Sequence, residues 1–592
     1  MKNQLLFLII AILVVLPFNR SEARQSGEIP EAPKHEFRSV WVATALGLDW
    51  PKTTNAANAE LALRNIIRNM KAKGMNAVVF QVTPRGDAYY QSDRLPWARR
   101  LTGTMGQDPG WDPLAVAIEE AHKHGMELHA WYNVGKLGDI GNADLQDSDE
   151  PRHIYFANPD LIEEVGTEVW LNHGKPQARE WAVANVIEIV EKYDVDAIHF
   201  DFIRYPSNGY ANDFDTKQEF NPENIIGTAD WRRYNVNEFN RMVYDSINVR
   251  KPWVKVGSTP IGHYKLDGGW PSLKGYSGVY QDSRRWLQEG VNDYLAPQLY
   301  WDIGGADAPQ MDWLVRDWMG ETYDRHIYIG TGPYKANVFA ELPRQIDSTR
   351  VNNAAGQMHF RYDNIVPAST FGDRYDRPSI VPPMPWKEMT GPNTPANLIS
   401  FWPGGAGTEL TLEWEKPDFG RGEPEAVRYA IYRVPVAGDV ISEEDITGDA
   451  TYLIAVTGET TFTDAPGVAS EDYDYYVTAL SRNNVESVPA GASVNTSLGE
   501  NRHLARSFEL DQNYPNPFNP TTNIRFTLGE AGPVSITVYD LLGRVVAQPL
   551  NDSRPAGTHT ISFNASHLSS GVYLYRLESG SMQITKKMML IK

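Results

Sequence analysis

Asp201 and His199 stand two residues apart in an otherwise apolar run, Ala197-Ile198-His199-Phe200-Asp201-Phe202-Ile203, that breaks off at Pro206. The run reads as a buried strand, and alternate residues of a strand share a face. An ionised carboxylate in such a place is unfavourable unless it is paired or takes part in chemistry. Asp201 is therefore the first catalytic candidate. Its natural chemistry is proton transfer, because burial beside Phe200 and Phe202 disfavours the charged carboxylate. Splitting a glycosidic bond takes an acid for the leaving oxygen and a base or nucleophile across the sugar ring. The acids at other strand ends are Asp302, Asp87 and Asp363. Asp302 is the preferred partner; Asp87 and Asp363 are weaker alternatives, Asp363 also as a substrate-binding group. With no second carboxylate, the substrate's own 2-acetamido group would serve.

Polar residues recur at every second position near several strand ends: Gln81/Thr83/Arg85, His129/Trp131/Asn133, His199/Asp201, Gln298/Tyr300/Asp302 and Gln357/His359/Arg361/Asp363. Five strands with this pattern imply one axial pocket. In it Gln81, His129, Asn133, His199, Gln298 and Tyr300 would position a sugar. Arg85 and Arg204 would hold a carboxylate such as a lactyl ether, and Trp131, Trp301 and Trp111 would be stacking platforms. The histidines and tryptophans have a plainer reading as satisfied core residues. A competing chemistry is a metal-dependent hydrolase or deacetylase with His129, His199, Asp201 and His359 as ligands. The chain lacks the HxH and HExxH spacings of such sites, so no metal or cofactor is expected.

These residues need a scaffold that brings strand ends together. Strand patterns fall at 37–44, 77–84, 127–134, 197–205, 255–261, 294–301, 326–332 and 357–363. Amphipathic segments alternate with them at 57–73, 113–123, 176–193, 229–250, 277–289, 310–319 and 338–349. Eight strands alternating with helices predict an α/β fold, a (β/α)8 TIM barrel over 36–377. Connections into the strands are short and those leaving them are long (85–112, 135–175, 206–228, 262–276), which puts the functional face at the strands' C-terminal ends. A proline-rich linker follows at 378–396. Short alternating strands then predict two small β-sandwich domains, at 397–498 and 508–592.

The chain has 592 residues, enough for three or four domains. A net charge of −20 without a basic run argues against nucleic acid or an anionic membrane as the main partner. A basic start, an apolar stretch at 5–17 and Ser21-Glu22-Ala23 describe a secretory signal peptide over 1–23. No later membrane span is expected. There is no cysteine, so neither a disulfide nor a lipoprotein attachment site is available.

Several motifs carry a family resemblance. Phe37-Arg38-Ser39-Val40-Trp41-Val42-Ala43-Thr44, Gln81-Val82-Thr83-Pro84-Arg85-Gly86-Asp87, Pro109-Gly110-Trp111-Asp112-Pro113, Leu128-His129-Ala130-Trp131-Tyr132-Asn133, Ala197-Ile198-His199-Phe200-Asp201 and Pro297-Gln298-Leu299-Tyr300-Trp301 resemble the glycosyl-hydrolase-like family 10 barrels. That group is related to bacterial hydrolases of peptide-free peptidoglycan strands. Many relatives carry a second acid where this chain has Phe202. Trp414, Tyr429-Ala430-Ile431-Tyr432 and Tyr475-Tyr476-Val477 resemble a fibronectin type III domain. Asn513-Tyr514-Pro515-Asn516-Pro517-Phe518-Asn519-Pro520, Gly571-Val572-Tyr573 and the Lys-Lys-Met-Met ending resemble the C-terminal sorting domain of type IX secretion. Together these imply a secreted or cell-surface glycoside hydrolase of a Gram-negative bacterium of the Bacteroidota or relatives. Its partners would be a polysaccharide, such as an amino-sugar glycan of the peptidoglycan kind, and the secretion machinery. The alternatives are a non-catalytic glycan-binding surface protein and the metal-dependent deacetylase.

Overall fold

The computed structural model describes residues 31–592 apart from 208, 212, 266–268, 306–308, 368–369, 402–408, 421, 436–441, 465–472, 495–508, 529–531, 542, 555–556 and 581. The expected signal peptide lies outside the described residues.

Eight strands form a closed parallel barrel in sequence order. They are β1 (Phe37–Val42), β2 (Ala77–Thr83), β3 (Glu127–Asn133), β4 (Ala197–Asp201), β5 (Lys255–Ser258), β6 (Tyr294–Leu295), β7 (His326–Thr331) and β8 (Gly356–Phe360). The ring closes where Phe37 of β1 aligns with Gly356 of β8. Seven principal helices surround it: α1 (Ala56–Ala72), α2 (Pro113–Lys123), α3 (Pro176–Lys192), α4 (Thr228–Arg250), α5 (Ser283–Gln288), α6 (Met311–Met319) and α7 (Leu342–Val351). Their starts are written locally. The Asn55 side chain accepts from the Asn58 N–H ahead of α1, and Asp112 accepts from Ala115 N ahead of α2, where Pro113 takes a position that needs no N–H partner.

Alternation sorts the core into two shells. Val78, Phe80, Val82, Leu128, Ala130, Ile198 and Phe200 face outward and pack with Leu63, Ile67, Met70, Val186, Ile189 and Phe239 of the helices. Phe37, Trp41, Val79, Trp131, Tyr294, Tyr328 and Met358 fill the axis. The strands stop sooner than their apolar runs suggest, because beyond the closed ring only single bridges persist, such as Ile261 to Gln298 and Gln298 to Gly330.

β8 corrects an expectation. Met358 belongs to the axial core, whereas Gln357 and His359 face outward. Gln357 donates to Glu36 Oε1 at 3.2 Å and accepts from the Tyr375 hydroxyl at 2.8 Å. His359 is held between Thr331 Oγ1 (2.7 Å) and the Tyr375 hydroxyl (3.0 Å). A buried polar layer behind the strand satisfies these groups, so their alternation did not mark the axis.

A second departure matters more. The long connection after β3 contains a three-stranded antiparallel sheet of Lys136–Asp139, Glu168–Leu171 and Ile162–Val165. The expected helix at 277–289 is divided into Gly275–Gly278 and α5, with Tyr280 in the left-handed region at φ 61° between them.

After the barrel, Ile380, Val381 and Met384 of the proline-rich segment are buried. Two four-stranded sheets follow, one built on Leu410–Glu415 and Ala396–Phe401, the other on Arg428–Pro435 and Tyr473–Leu480. Leu412, Trp414, Tyr429, Ile431 and Val477 pack between them. The tail has a three-stranded and a four-stranded sheet with their own core of Ile524, Phe526, Ile536, Val538, Tyr575 and Leu577. It includes a long strand at Val545–Arg554. Among the described residues no helix is long and apolar enough to cross a membrane.

Candidate active site

Asp201 ends β4, level with Asn133 of β3. The chain then turns sharply at Phe202, whose φ is 51°. That conformation is unfavourable for a residue with a Cβ by about 1–2 kcal/mol. It lets the Phe202 N–H donate to Asp201 Oδ1 at 2.7 Å. Gly135 makes room for the turn: its N–H donates to Phe202 O at 3.0 Å, and a Cβ there would lie 2.6 Å from that oxygen. Gln298 Nε2 approaches Asp201 Oδ1 at 3.5 Å. Burial raises the Asp201 carboxyl from 3.8 to about 6; the Phe202 N–H, Arg204, Arg85 and Gln298 oppose the shift without cancelling it.

Two arginines flank this carboxyl. The Arg204 guanidinium lies 4.8 Å over the Phe202 ring and 5.5 Å over Trp170. The Arg85 guanidinium lies 5.8 Å over Phe202. Arg204 forms no close ion pair among the described residues, and Arg85 has only a long one. Arg85 stands 3.9 Å from Asp139, and its Nε is buried without a hydrogen-bond partner. Arg204 donates weakly to Tyr205 O at 3.4 Å. Two half-buried cations beside a protonatable acid suit a substrate that carries its own anion.

The inserted sheet supplies groups absent from the sequence-based set. Glu168 and Asp139 are direct cross-strand neighbours, and Lys136 pairs with both, at 2.5 and 3.0 Å. Trp170 Nε1 donates to Glu168 Oε2 at 3.1 Å, and its ring meets Phe202 edge-on at 5.9 Å. The only sequence signal was the brief polar–apolar alternation of Glu168-Val169-Trp170-Leu171 inside a long connection.

Comparison with known proteins agrees with this architecture. The family model described as Glycosyl hydrolase-like 10 matches residues 36–346, more than half of the chain. The chain belongs to the glycosyl hydrolase-like 10 family. Glycosyl hydrolase YngK of Bacillus subtilis (strain 168) is 33% identical over 485 residues, covering 76% of this chain and 92% of the relative. Glycosyl hydrolase DigH of Escherichia coli (strain K12) is 31% identical over 366 residues, covering 55% and 83%. The model described as Secretion system C-terminal sorting domain matches residues 512–592.

In this member of the glycosyl hydrolase-like 10 family, the other expected site residues divide into three groups. Around Asp201 gather Arg85, Arg204, Gln298 and Tyr300. Burial pushes the Tyr300 phenol well above its usual range, and the nearby Asp201 adds to the shift. The Tyr300 ring stacks on Phe360 at 5.7 Å and meets the exposed Tyr334 edge-on at 5.8 Å. Asp87 is buried and accepts from Arg85 N at 3.0 Å. Burial raises its carboxyl to about 6, opposed by the Arg85 N–H and reinforced by the nearby Asp144.

A second group lies beside other cations. Asp302 lies in the field of Lys335, whose Nζ donates to Tyr300 O at 2.6 Å and lies 5.8 Å over Trp301. Asp363 is exposed and pairs with Lys52 at 3.2 Å and Arg361 at 3.1 Å.

The third group is packed into the barrel. Trp41 Nε1 donates to His199 Nε2 (3.0 Å), so His199 carries its proton on Nδ1 and gives it to the Tyr294 oxygen (3.0 Å). The Tyr294 hydroxyl donates to His129 Nδ1 (2.8 Å), and His129 Nε2 donates to Glu127 (2.8 Å). Every nitrogen of the two histidines is engaged and both rings are fully buried, which leaves neither for a sugar or an ion. With His359 behind β8, the four residues expected as metal ligands do not converge. Gln81 accepts from Thr44 N and Ala45 N at 3.0 and 2.8 Å and fixes the turn after β1. Trp131 Nε1 donates to Asn133 Oδ1 (2.9 Å) and Asn133 Nδ2 to Pro84 O (2.8 Å), so this pair forms the buried floor. Trp111 packs edge-on against Trp50 at 5.9 Å, in the outer shell.

Proposed function

We propose that the protein is a secreted glycoside hydrolase that cuts an O-glycosidic bond in an acidic amino-sugar glycan such as a peptidoglycan strand, with Asp201 as the acid. The observation that carries this reading is Asp201 itself, a carboxyl held near a pKa of about 6 at the barrel mouth between Arg204 and Arg85, the latter in only a long ion pair with Asp139. Protonated Asp201 gives its proton to the leaving oxygen as the C–O bond breaks, and water completes the hydrolysis. Arg85 and Arg204 hold a sugar carboxylate, such as a lactyl ether, and Tyr300 with Tyr334 flanks the ring. The family match and the glycosyl hydrolase relatives support the reaction class. Export rests on the sorting-domain match at the tail, which suggests the type IX machinery, a secreted or cell-surface location and a Bacteroidota-like source. The sandwich after the barrel is read as a fibronectin type III-like module.

The test is cleavage of peptide-free glycan strands prepared from sacculi. Asp201→Asn is expected to lower kcat/KM by about 10²–10⁴ while leaving glycan binding in place. Wild-type kcat/KM should fall as pH rises through about 6, where Asp201 loses its proton. A wild-type protein that binds these strands and cuts none would make it a glycan-binding surface protein instead. Release of acetate without chain scission would make it a deacetylase.

A further inference from the structure

Hydrolysis by Asp201 needs a second group on the far side of the sugar, and the sequence offered Asp302 for it. The structure places Asp302 in the field of Lys335. The carboxylate that shares both arginines with Asp201 is Glu168. Arg204 lies in the fields of Asp201 and Glu168, and Arg85 in those of Asp139, Asp87, Asp201 and Glu168. Geometry supports the same pairing. Trp170, which donates to Glu168 at 3.1 Å, carries Arg204 over its ring and meets Phe202, the residue next to Asp201. The Glu168 side chain pairs with Lys136 at 2.5 Å and is 40% exposed, so a substrate can reach it. Asp139, its cross-strand neighbour, acts on Arg85 but is not among the groups acting on Arg204.

We infer that Glu168, carried to the mouth on the inserted sheet, is the base of the reaction. This rests on the glycoside hydrolase reading above. Asp201 gives its proton to the glycosidic oxygen and the bond from that oxygen to the anomeric carbon breaks. A water oxygen bonds to the anomeric carbon, and the proton it sheds goes to Glu168. The products are two sugar chains ending in hydroxyls, and proton exchange with solvent returns both carboxyls to their starting states. Asp201 accepts from the Phe202 backbone N–H and Glu168 from Trp170 Nε1, two residues whose rings meet at 5.9 Å. A base acting through water is the single-displacement arrangement, in which the two carboxyls stand about 6.5–9.5 Å apart.

The test uses the full chain, with glycan strands and an aryl glycoside of the same sugar, with and without sodium azide. Glu168→Ala should lose on the order of 10²–10⁴ in kcat. Azide should restore turnover of the aryl glycoside and yield a glycosyl azide visible by mass spectrometry, which a merely structural role for Glu168 would not produce. Asp139→Ala should stay within about tenfold of wild type and form no azide product. Glu168→Ala within about threefold of wild type, or a loss that azide does not restore, overturns the assignment, as does azide product from Asp139→Ala. If wild type cuts and Asp201→Asn does not, while Glu168→Ala still cuts, only the role of Glu168 fails. If wild type cuts nothing, the hydrolase reading fails and this role with it.

Discussion

At the scale of single residues, two carboxyls near the barrel mouth are held protonatable by burial, and they differ in what they can reach. Asp201 is half-buried at the barrel mouth, whereas Asp87 is almost closed off from water. The Asp87 carboxyl is raised from 3.8 to about 6. Between these values the folded protein keeps a proton that the unfolded chain has lost, so stability falls as pH rises through that window, and the whole penalty remains above about 6. Asp87→Asn keeps an oxygen for the Arg85 N–H and removes the charge. It should stabilise the protein by about 1–3 kcal/mol near neutral pH and change little below about pH 4. Urea unfolding at both pH values checks this; equal midpoints for variant and wild type near neutral pH would refute it. The place of Asp201 at a barrel strand's end was legible in the sequence because the apolar run around it reads as a strand that stops at Pro206. His129 and His199 looked similar and proved different, since sequence cannot reveal that Trp41, Tyr294 and Glu127 satisfy every ring nitrogen.

At the scale of elements, the barrel depends on small residues that let large axial ones pass. β5 offers Gly257 beneath Tyr294: a Cβ there would lie 2.0 Å from Tyr294 Cζ. Tyr294 bridges the two histidines, so the ring cannot move aside without leaving buried nitrogens unsatisfied. Gly257→Ala is therefore expected to destabilise the fold by about 1–3 kcal/mol or more, read as a lower thermal midpoint. A midpoint unchanged from wild type would mean that Tyr294 is free to shift, contrary to its packing. The same elements mark the limits of sequence pattern. All eight strands and most helices follow from apolar periodicity, because each must bury a face, while the segments expected at 277–289 and 338–349 are each divided in two. The facing of β8 did not follow, since polar alternation looks alike whether it lines a pocket or meets a polar layer such as Tyr375 and Glu36, which Arg350 pairs with at 2.8 Å. The inserted sheet was missed because its strands are four residues long and lie far from the strand that they serve.

At the scale of the whole molecule, the first sandwich closes the floor of the barrel. Glu127 and Lys255 are fully buried there and pair at 2.6 Å. Arg428, from the sandwich, reaches Asp196 at 2.9 Å and Glu127 at 3.4 Å, and Asn484 donates to Glu127 at 2.7 Å. Burial alone would raise both acids. For Asp196, Arg428 and His122 outweigh it and hold the carboxyl well below its usual range. For Glu127, Lys255, His129 and Arg428 do so and hold it at about 2. The barrel floor is thus electrically complete only with the sandwich in place. Arg428→Met keeps a stem of similar length and removes the charge, leaving two buried carboxylates short of a partner. The expected loss is about 3–5 kcal/mol at neutral pH. Carboxyls with depressed pKa values contribute stability above their unfolded values, and that contribution is lost as pH falls through the folded ones. Without Arg428 both carboxyls titrate closer to their unfolded values, so the gap between variant and wild type should narrow as pH drops from about 5 toward 2. Denaturant unfolding across that range measures it. A gap that stays constant with pH would mean that Arg428 acts by packing alone, and a variant as stable as wild type at neutral pH would mean that the sandwich does not complete the barrel.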